Sequence, residues 1–165
     1  MTDVRWLSDD EQRAWRAFLV ATNLLYDQLD RELQRDAGFP HGYYEILVRL
    51  SEAPGRRLRM SQLAERSQSS RSRISHAVAR LEEAGWVSRE ECATDRRGSF
   101  AVLTDEGFAA LEAAAPGHVE GVRRHFFDPL TDEQVVQLRT ISEALVSHLT
   151  AEGAPDGKGP STGGW

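Results

Sequence analysis

Residues 60–87, "MSQLAERSQSSRSRISHAVARLEEAGWV", carry two short helical patterns separated by the polar connector "RSQSS". In the first helix Leu63 and Ala64 form the inward face, and Ser61 is the expected N-cap because its hydroxyl can accept a hydrogen bond from the first turn. A second helix follows after only a few residues, which is the layout of a helix-turn-helix.

The second helix of this pair has a clear beginning and end. Ser70 is the expected N-cap, and Gly85 is expected to end the helix because glycine adopts the left-handed conformation found just beyond helix ends. Apolar residues recur between them at four- and three-residue spacing, and this buried line consists of Ile74, Val78 and Leu81. In a helix-turn-helix, a second helix of this kind enters the DNA major groove.

The outer face of the second helix is polar and basic. At about 100° per residue, Ser72, His76 and Ala79 point away from the buried line. Arg73 and Arg80 flank them. Arginine can read guanine through two hydrogen bonds, serine can serve base edges or phosphate, and a helix N-terminus attracts phosphate. This face therefore favours DNA contact, although a solvated helix that carries arginines has the same pattern.

Residues 86–104, "WVSREECATDRRGSFAVLT", change to an alternating period and predict two strands around a polar turn. The turn, "TDRRG" at 94–98, places Arg96 and Arg97 at the tip of a hairpin beside the second helix. Two guanidinium groups there could reach phosphate or the adjacent minor groove. A merely solvated turn has the same composition.

The distribution of charge bears on the same question. The chain has 165 residues, 20 Lys+Arg against 26 Asp+Glu and a net charge of −6, which taken alone argues against nucleic acid as a partner. From Arg56 to Arg97, however, there are ten arginines and six acidic residues, a local balance of +4, so the remainder carries −10. A basic segment in an acidic chain suits a protein that meets a polyanion with one surface. A solvated arginine-rich face remains the alternative.

Long helical patterns flank this segment. Ser8 and Glu11 form an S-x-x-E capping box, and apolar residues then repeat until Gly38, which predicts a helix of about 28 residues and roughly 40 Å. A second box at Thr131 and Gln134 opens a helix near the end of the chain. Both are long for the core available, which favours a homodimer interlocked through them, and an intramolecular bundle is the alternative.

Thr104 can cap the helix that follows the hairpin, "DEGFAALEAAA". Pro116 and Gly117 are expected to kink or break this helix before "HVEGVRRHFF" resumes, because proline removes a backbone donor.

The stretch from Leu58 to Gly107 resembles the winged-helix core of the MarR family of bacterial regulators. Members typically show Leu-Ala-Glu in the first motif helix, Leu-Glu-x-x-Gly-hydrophobic at the end of the second, Asp-x-Arg at the wing tip and Leu-Thr-x-x-Gly at the next helix. Here these motifs are Leu63-Ala64-Glu65, Leu81-Glu82-Glu83-Ala84-Gly85-Trp86, Asp95-Arg96-Arg97 and Leu103-Thr104-Asp105-Glu106-Gly107. A looser resemblance extends from about Trp15 to Leu149 and includes "YYEILVRLSEAPG" as the helix before the motif.

The resemblance implies a homodimer of winged helices that binds a pseudo-palindromic operator in double-stranded DNA and usually represses transcription. The expected DNA contacts are Ser70, Arg71, Ser72, Arg73, Ser75, His76 and Arg80 on the second helix and Arg96 and Arg97 on the wing. The competing hypothesis is a winged-helix module that docks proteins without binding DNA. That module predicts that intramolecular acids cover the basic surface.

By the same resemblance, a pocket for a small aromatic or phenolic effector would be lined by Trp15, His41 and Tyr44. Those aromatic residues could equally be core filler. The peroxide-sensing branch of the family carries its reactive cysteine in the N-terminal helices, whereas Cys92 lies in the hairpin, which favours a structural or incidental thiol.

The sequence contains no metal-ligand spacing, phosphate loop or nucleophile motif, so neither a cofactor nor an enzymatic activity is expected. The single cysteine and the lack of a signal-peptide or membrane-span pattern predict a cytoplasmic protein that does not enter membranes.

The expected fold class is mainly α with a small β-hairpin, α+β. A winged helix-turn-helix at 38–103 lies between dimerisation helices at 1–37 and 104–150, followed by a disordered Gly/Pro-rich tail at 151–165.

Overall fold

The computed structural model describes residues 4–92 and 95–152, and for positions 92, 95–97 and 152 it describes the backbone alone. The chain divides into two compact units, Met1–Val122 and Arg123–Trp165. The first unit contains α1 (Asp9–Asp36), α2 (His41–Ser51), a 3-10 turn (Pro54–Arg56), β1 (Arg57–Arg59), α3 (Met60–Arg66), α4 (Arg71–Glu83), β2 (Val87–Cys92), β3 (Asp95–Leu103) and α5 (Asp105–Val122). The second contains a π-helical turn (Arg123–Phe127) and α6 (Asp132–Glu152). The mainly helical fold with a small sheet is confirmed.

Helix α1 begins as its capping box predicts. The Glu11 N–H donates to Ser8 Oγ at 3.3 Å, and the Ser8 N–H donates to Glu11 Oε2 at 2.7 Å. These hydrogen bonds lower the pKa of Glu11. The helix is 28 residues long and ends before Gly38, whose φ is +79°. The next helix has no local side-chain cap, and Asp30 of α1 accepts the His41 N–H at 2.8 Å instead.

Helix α3 starts one residue before the predicted cap, so the assignment of Ser61 as N-cap is wrong. The helix begins at Met60, and the Arg59 N–H donates to Gln62 Oε1 at 3.2 Å. The connector between α3 and α4 turns tightly because Gln68 adopts a left-handed φ of +46°. This conformation lets the Ser69 N–H reach the Ala64 carbonyl at 3.0 Å.

Helix α4 agrees with its sequence pattern. Its N-cap is Ser70, whose Oγ accepts the Arg73 N–H at 3.2 Å, and Gly85 follows the helix with a φ of +75°. The predicted inward line is buried and consists of Ile74, Val78 and Leu81. Helix α4 therefore presents its opposite face to solvent.

The sheet has three antiparallel strands in the order β1-β3-β2. Strands β2 and β3 are the predicted hairpin, with Val87 opposite Leu103 and Glu90 opposite Phe100. Strand β1, which the sequence did not predict, pairs Leu58 with Ala101 on the other edge of β3.

The predicted wing tip, 94–98, is only partly described. Ala93 and Thr94 lie outside the described residues, and β3 already begins at Asp95, opposite Cys92. The register shifts between Glu91 and Cys92: Glu91 pairs with Ser99, whereas the next residue, Cys92, pairs with Asp95. The backbone of Arg96 and Arg97 therefore lies at the irregular start of β3.

One hydrophobic core holds the first unit together. Helix α2 lies at its centre, with Leu47 and Leu50 completely buried, and α1 contributes Leu33. The remaining buried core residues include Phe39, Ile46, Leu58, Leu63, Ile74, Val78, Leu81, Val87, Ala101, Leu103 and Leu111. The core thus joins the end of α1, the helix-turn-helix and the sheet into one body.

Of the kink or break predicted at Pro116 and Gly117, the break does not occur, because α5 continues from Asp105 to Val122 with the proline inside it. The missing backbone donor is offset by packing on both sides. Leu111 and Ala114 are buried before the proline. Beyond it, a β-carbon on Gly121 would come within 3.3 Å of Leu29 Cδ2 on α1. Tertiary contact of this kind overrides local helix propensity.

In the second unit, α6 begins with the predicted capping box. The Gln134 N–H donates to Thr131 Oγ1 at 3.2 Å, and the Thr131 N–H donates to Gln134 Oε1 at 2.9 Å. Helix α6 is 21 residues long and runs to Glu152. The residues of the predicted tail from 153 onward lie outside the described part of the chain.

Candidate DNA-binding surface

The exposed face of α4 carries most of the side chains that the sequence singled out. Six of them are exposed, namely Ser70, Arg71, Ser72, Arg73, His76 and Arg80, and Ser75 is half-buried. Because Ile74, Val78 and Leu81 hold the other face in the core, these polar side chains point outward together.

The arginines on and beside α4 differ in their intramolecular partners. Arg80 Nη1 lies 2.7 Å from Glu83 Oε2, and this hydrogen bond raises the pKa of Arg80. Arg89 on β2 lies 3.0 Å from Glu82. In the part of the chain that the structure describes, no carboxylate lies within ion-pair distance of the guanidinium of Arg71 or Arg73. The start of α4 therefore keeps two unneutralised cations.

The helix end itself adds to this positive field. The first turn of α4 contains no acidic residue, so the partial positive charge of the helix N-terminus is not compensated there. Arg71 and Arg73 lie in that same turn, beside the Ser70 cap. Together these features form an anion-attracting site of the kind that binds phosphate.

Tyr43 of α2 belongs to the same surface, although the sequence did not indicate it. It is half-buried and lines a shallow groove together with Arg73, His76 and Arg80 of α4. Its phenol could donate to phosphate beside the helix. Two tyrosines stand in succession at the start of α2, and only the fold shows that Tyr43 faces α4 while Tyr44 is buried.

The basic residues around β1 have other contacts. Arg56 lies 3.1 Å from Asp105 and 3.7 Å from the centre of the Phe108 ring. Arg57 lies 3.2 Å from Glu90 and 4.1 Å from the Phe100 ring. Arg56 and Arg57 therefore stabilise the region around the sheet through ion pairs and cation–π contacts.

For the two wing arginines the structure gives the backbone position alone. Arg96 and Arg97 lie near the start of β3, and their side chains are outside the described residues. The side chain of Cys92 is outside them as well.

The residues named for an effector pocket fall into two groups. His118 of α5 packs against two rings of α2: its ring centre lies 5.3 Å from that of His41 and 4.3 Å from that of Tyr44. Tyr26 of α1 packs edge-on against His41, with ring centres 5.6 Å apart. Trp15 lies elsewhere on α1 and stacks on Phe18 at 6.3 Å. The structure therefore brings His41 and Tyr44 together but places Trp15 with another aromatic partner.

His118 is the unexpected member of this cluster. Its Nδ1 atom is buried with no hydrogen-bond partner among the described residues. Burial, and secondarily the charge of His41, lower the pKa of His118, and burial raises the pKa of Tyr44. A cavity of about 60 Å³ adjoins it, lined by residues that include Leu29, Glu32 and Asp36 of α1.

Clusters of metal-ligating side chains and membrane-spanning helices were sought among the described residues. No group of three or more His, Cys, Asp and Glu side chains there is placed to hold a metal ion. None of the helices in that part of the chain combines the length and apolarity needed to cross a bilayer.

Comparison with known proteins places this geometry in a family. Residues 37–98 match the MarR family model. The fold is similar to that of Sco3205, a MarR family transcriptional regulator from Streptomyces coelicolor solved in complex with DNA, at 52% identity and a TM-score of 0.87, covering 94% of this chain and 97% of that one.

Two characterised regulators are more distant relatives. The HTH-type transcriptional regulator PecS of Dickeya dadantii (strain 3937) is 34% identical over 89 residues, which are 54% of this chain and 53% of PecS. The HTH-type transcriptional repressor YetL of Bacillus subtilis (strain 168) is 33% identical over 111 residues, 66% of each protein. The chain thus spans about half the length of PecS and about two thirds of that of YetL. With 52% identity to Sco3205 along nearly its whole length, and with its winged-helix core matching the family model, this chain belongs to the MarR family, whose members are transcriptional regulators rather than enzymes.

Proposed function

We propose that this protein binds double-stranded DNA through α4 and the wing, and represses transcription as a homodimer on a pseudo-palindromic operator in the cytoplasm. The observation that carries the proposal is a pair of guanidinium groups, Arg71 and Arg73, which lie at the exposed start of α4 and have no ion-pair partner among the described residues. In an acidic chain with a net charge of −6, these two cations lie in a helix first turn that contains no acidic residue, which makes this surface locally attractive to a polyanion.

The competing module, which docks proteins and does not bind DNA, predicts that acids cover the basic surface. Arg80 and Arg89 do have such partners in Glu83 and Glu82. Arg71 and Arg73 do not, within the residues described, and they occupy the turn that enters the major groove in a helix-turn-helix. The uncovered pair therefore favours DNA over a protein partner.

The relatives support the same function. Sco3205, similar to this chain over almost its full length, was solved in complex with DNA. YetL, the more distant relative from Bacillus subtilis, is named a repressor. These similarities favour operator binding and repression as the working hypothesis for this chain.

The homodimer is supported by exposed apolar side chains on both terminal helices. On α1, Phe18 is 53% exposed and Leu24 62%. On α6, Ile141 is 58% exposed and Leu149 64%. A soluble chain rarely leaves so many large apolar side chains in water on long helices, and a second copy would cover them. We infer that α1 and α6 form the dimer interface.

A small aromatic or phenolic effector would bind near the cluster of His41, Tyr44 and His118. This site offers aromatic faces, two imidazoles and the unpartnered Nδ1 of His118. The adjoining cavity of about 60 Å³ is far below the roughly 300 Å³ of the smallest ordinary ligand pockets. An effector must therefore widen the site or use a wall supplied by the second subunit.

Selection from a library of random-sequence duplexes, followed by gel-shift titration at several salt concentrations, tests DNA binding directly. The expected result is enrichment of an inverted repeat whose half-sites are about one helical turn apart. The complex should weaken steeply with salt because counterions are released. Failure to enrich any sequence at low salt would contradict the proposal and favour the protein-docking module.

The dimer is tested by substitution rather than by truncation. Removing residues 1–35 would also delete Leu29 and Leu33, which are buried in the core, so loss of binding could reflect unfolding. Leu24→Glu on α1 changes an exposed side chain instead. Sedimentation should then show a folded monomer that binds operator weakly, whereas an unchanged dimer would exclude Leu24 from the interface.

A further inference from the structure

The side chain of Arg89 connects β2, a strand of the wing, at two points to α4, which is the recognition helix of the proposed DNA complex. Its Nη2 donates to the Ser75 carbonyl oxygen at 2.9 Å, and its Nε lies 3.0 Å from Glu82 Oε2. Ser75 and Glu82 are two helical turns apart on α4. They can share one guanidinium because helix carbonyls point toward the C-terminus while side chains tilt toward the N-terminus.

This contact lies beyond the covalent connection between α4 and β2. That connection is already fixed at Gly85, whose carbonyl accepts the Thr104 hydroxyl at 2.8 Å. Val87, which is buried, anchors the start of β2 in the core. Arg89 lies two residues further toward the wing, on the same face of the strand as Val87. It therefore adds an attachment point away from the hinge.

A second attachment point restrains an angle that a single hinge leaves free. Base reading requires side chains to be held within about 0.5 Å and 10–20° of their productive geometry. The Ser75 carbonyl lies immediately before His76 on the exposed face of α4, so the contact acts close to the residues expected at the groove.

We propose that Arg89 is a positioning residue that fixes the angle between the wing and the recognition helix, and so sets sequence discrimination without touching DNA itself. The inference rests on the proposed DNA binding. One guanidinium contact is made to a carboxylate and the other to a helix carbonyl, and both side chains are only about a third exposed, at 34% for Arg89 and 32% for Glu82. Reaching a phosphate would require Arg89 to abandon both partners.

The measurement is the ratio of affinities for the selected operator and for a random-sequence duplex of equal length, titrated against salt. Arg89→Ala should lower this ratio about tenfold, the effect expected from removing one charge-assisted hydrogen bond. The salt slope should stay unchanged. If Arg89 were a phosphate ligand, both duplexes would lose affinity equally, and the slope would fall by about 0.9 for each phosphate no longer bound.

Arg89→Lys separates the two roles further. An ammonium group substitutes well as a point charge on phosphate, but it lacks the planar fork that serves two acceptors at once. The lysine variant should therefore resemble Arg89→Ala in discrimination. Wild-type discrimination in Arg89→Lys would contradict the positioning role.

Glu82→Gln provides a milder variant should loss of Arg89 impair folding. Glu82→Gln should also lower the ratio of operator affinity to random-duplex affinity. Combining it with Arg89→Ala should lower this ratio little further, because both substitutions remove the same ion pair. Glu112→Gln is the matched control, because it removes one exposed carboxylate from α5 and leaves the ion pairs of α4 intact. Thermal unfolding and sedimentation confirm that each variant is a folded dimer.

The outcomes are distinguishable. If the wild-type protein selects an operator and the ratio is the same in the Arg89 and Glu82 variants, the inference is wrong while the proposed function stands. If the wild-type protein selects no sequence, the proposed function fails and the positioning role fails with it.

Discussion

The carbonyl oxygen of Trp86 occupies the space where a β-carbon on Gly107 would stand, and the Trp86 carbonyl carbon would be 2.8 Å from it. Thr104 holds this close approach. Its N–H donates to the Trp86 oxygen at 3.1 Å, and its hydroxyl donates to the Gly85 carbonyl at 2.8 Å while accepting the Gly107 N–H at 3.0 Å. The Leu-Thr-x-x-Gly motif therefore joins the start of α5 to the end of α4.

Gly107→Ala should destabilise the protein by about 1–3 kcal/mol, because the added methyl overlaps backbone that cannot move without shifting α5 or β2. Gly117→Ala is the matched control in the same helix, since a β-carbon there meets nothing within 4 Å. It should stabilise by about 0.5–1 kcal/mol through helix propensity alone. Chemical denaturation at one fixed protein concentration measures both, and equal effects of the two substitutions would contradict the packing account.

The features predicted correctly depend on residues close together in the chain. The capping boxes at Ser8 and Thr131 and the cap at Ser70 each pair groups three residues apart, so sequence alone places them. The buried line of α4 follows from helical period in the same way. The resemblance to the MarR family added the prediction that these elements assemble into a winged helix, which local rules do not supply.

The features that were missed depend on distant contacts. Strand β1 is three residues long and has no readable period, and its partner Ala101 is far along the chain from Leu58. Ser61 satisfies the local preference for a cap, but the chain leaving β1 starts α3 earlier.

Two parts of the candidate site also escaped prediction. His118 comes close to Tyr44 only when α5 packs against α2. In the same way, Arg89 reaches Glu82 only when β2 packs against α4. No spacing rule joins residues that lie on different elements of the fold.

The lowered pKa of His118 predicts how stability depends on pH. Below its ordinary pKa of 6.5 the unfolded chain binds a proton at His118 more readily than the folded protein does. Stability should therefore rise with pH through the window just below 6.5, and His118 should contribute no dependence above it. Neighbouring groups on the packed elements are His41 and Tyr44 on α2 and Glu32, Asp36 and Tyr26 on α1.

His118→Phe keeps a ring against Tyr44 and removes the titration. Denaturation from about pH 5 to about pH 8 should show a flatter dependence in this variant than in the wild type. His76→Phe, on the exposed face of α4, controls for loss of an imidazole elsewhere. An identical pH dependence in wild type and His118→Phe would exclude His118 as its source.

Arg73 is expected to contact a base edge. Arg73→Ala should cost roughly 1–3 kcal/mol of operator binding and relax discrimination at one base pair in each half-site, because the pair of hydrogen bonds to the base is removed. Arg73→Lys retains the charge and should recover affinity for random DNA but not the discrimination. Competition binding against single-base operator variants measures this. Uniform weakening across all variants would instead identify Arg73 as a phosphate ligand.

The wing is expected to bind DNA through charge. Arg96→Ala combined with Arg97→Ala should weaken operator binding and reduce the slope of log affinity against log salt by about 0.9 for each phosphate no longer bound. If the arginines enter a narrow minor groove, preference for A/T-rich flanks should fall as well, because such grooves concentrate negative potential. Arg13→Ala with Arg16→Ala removes the same charge from a surface outside the winged helix. Because both residues lie on the proposed dimer helix α1, this variant controls for net charge once sedimentation shows that it is still a dimer. A hairpin turn that only needed to be soluble would not require arginine, because a sequence such as Asn-Gly forms such a turn without it. Unchanged affinity and an unchanged salt slope in the wing variant would show that these two arginines only solvate the tip.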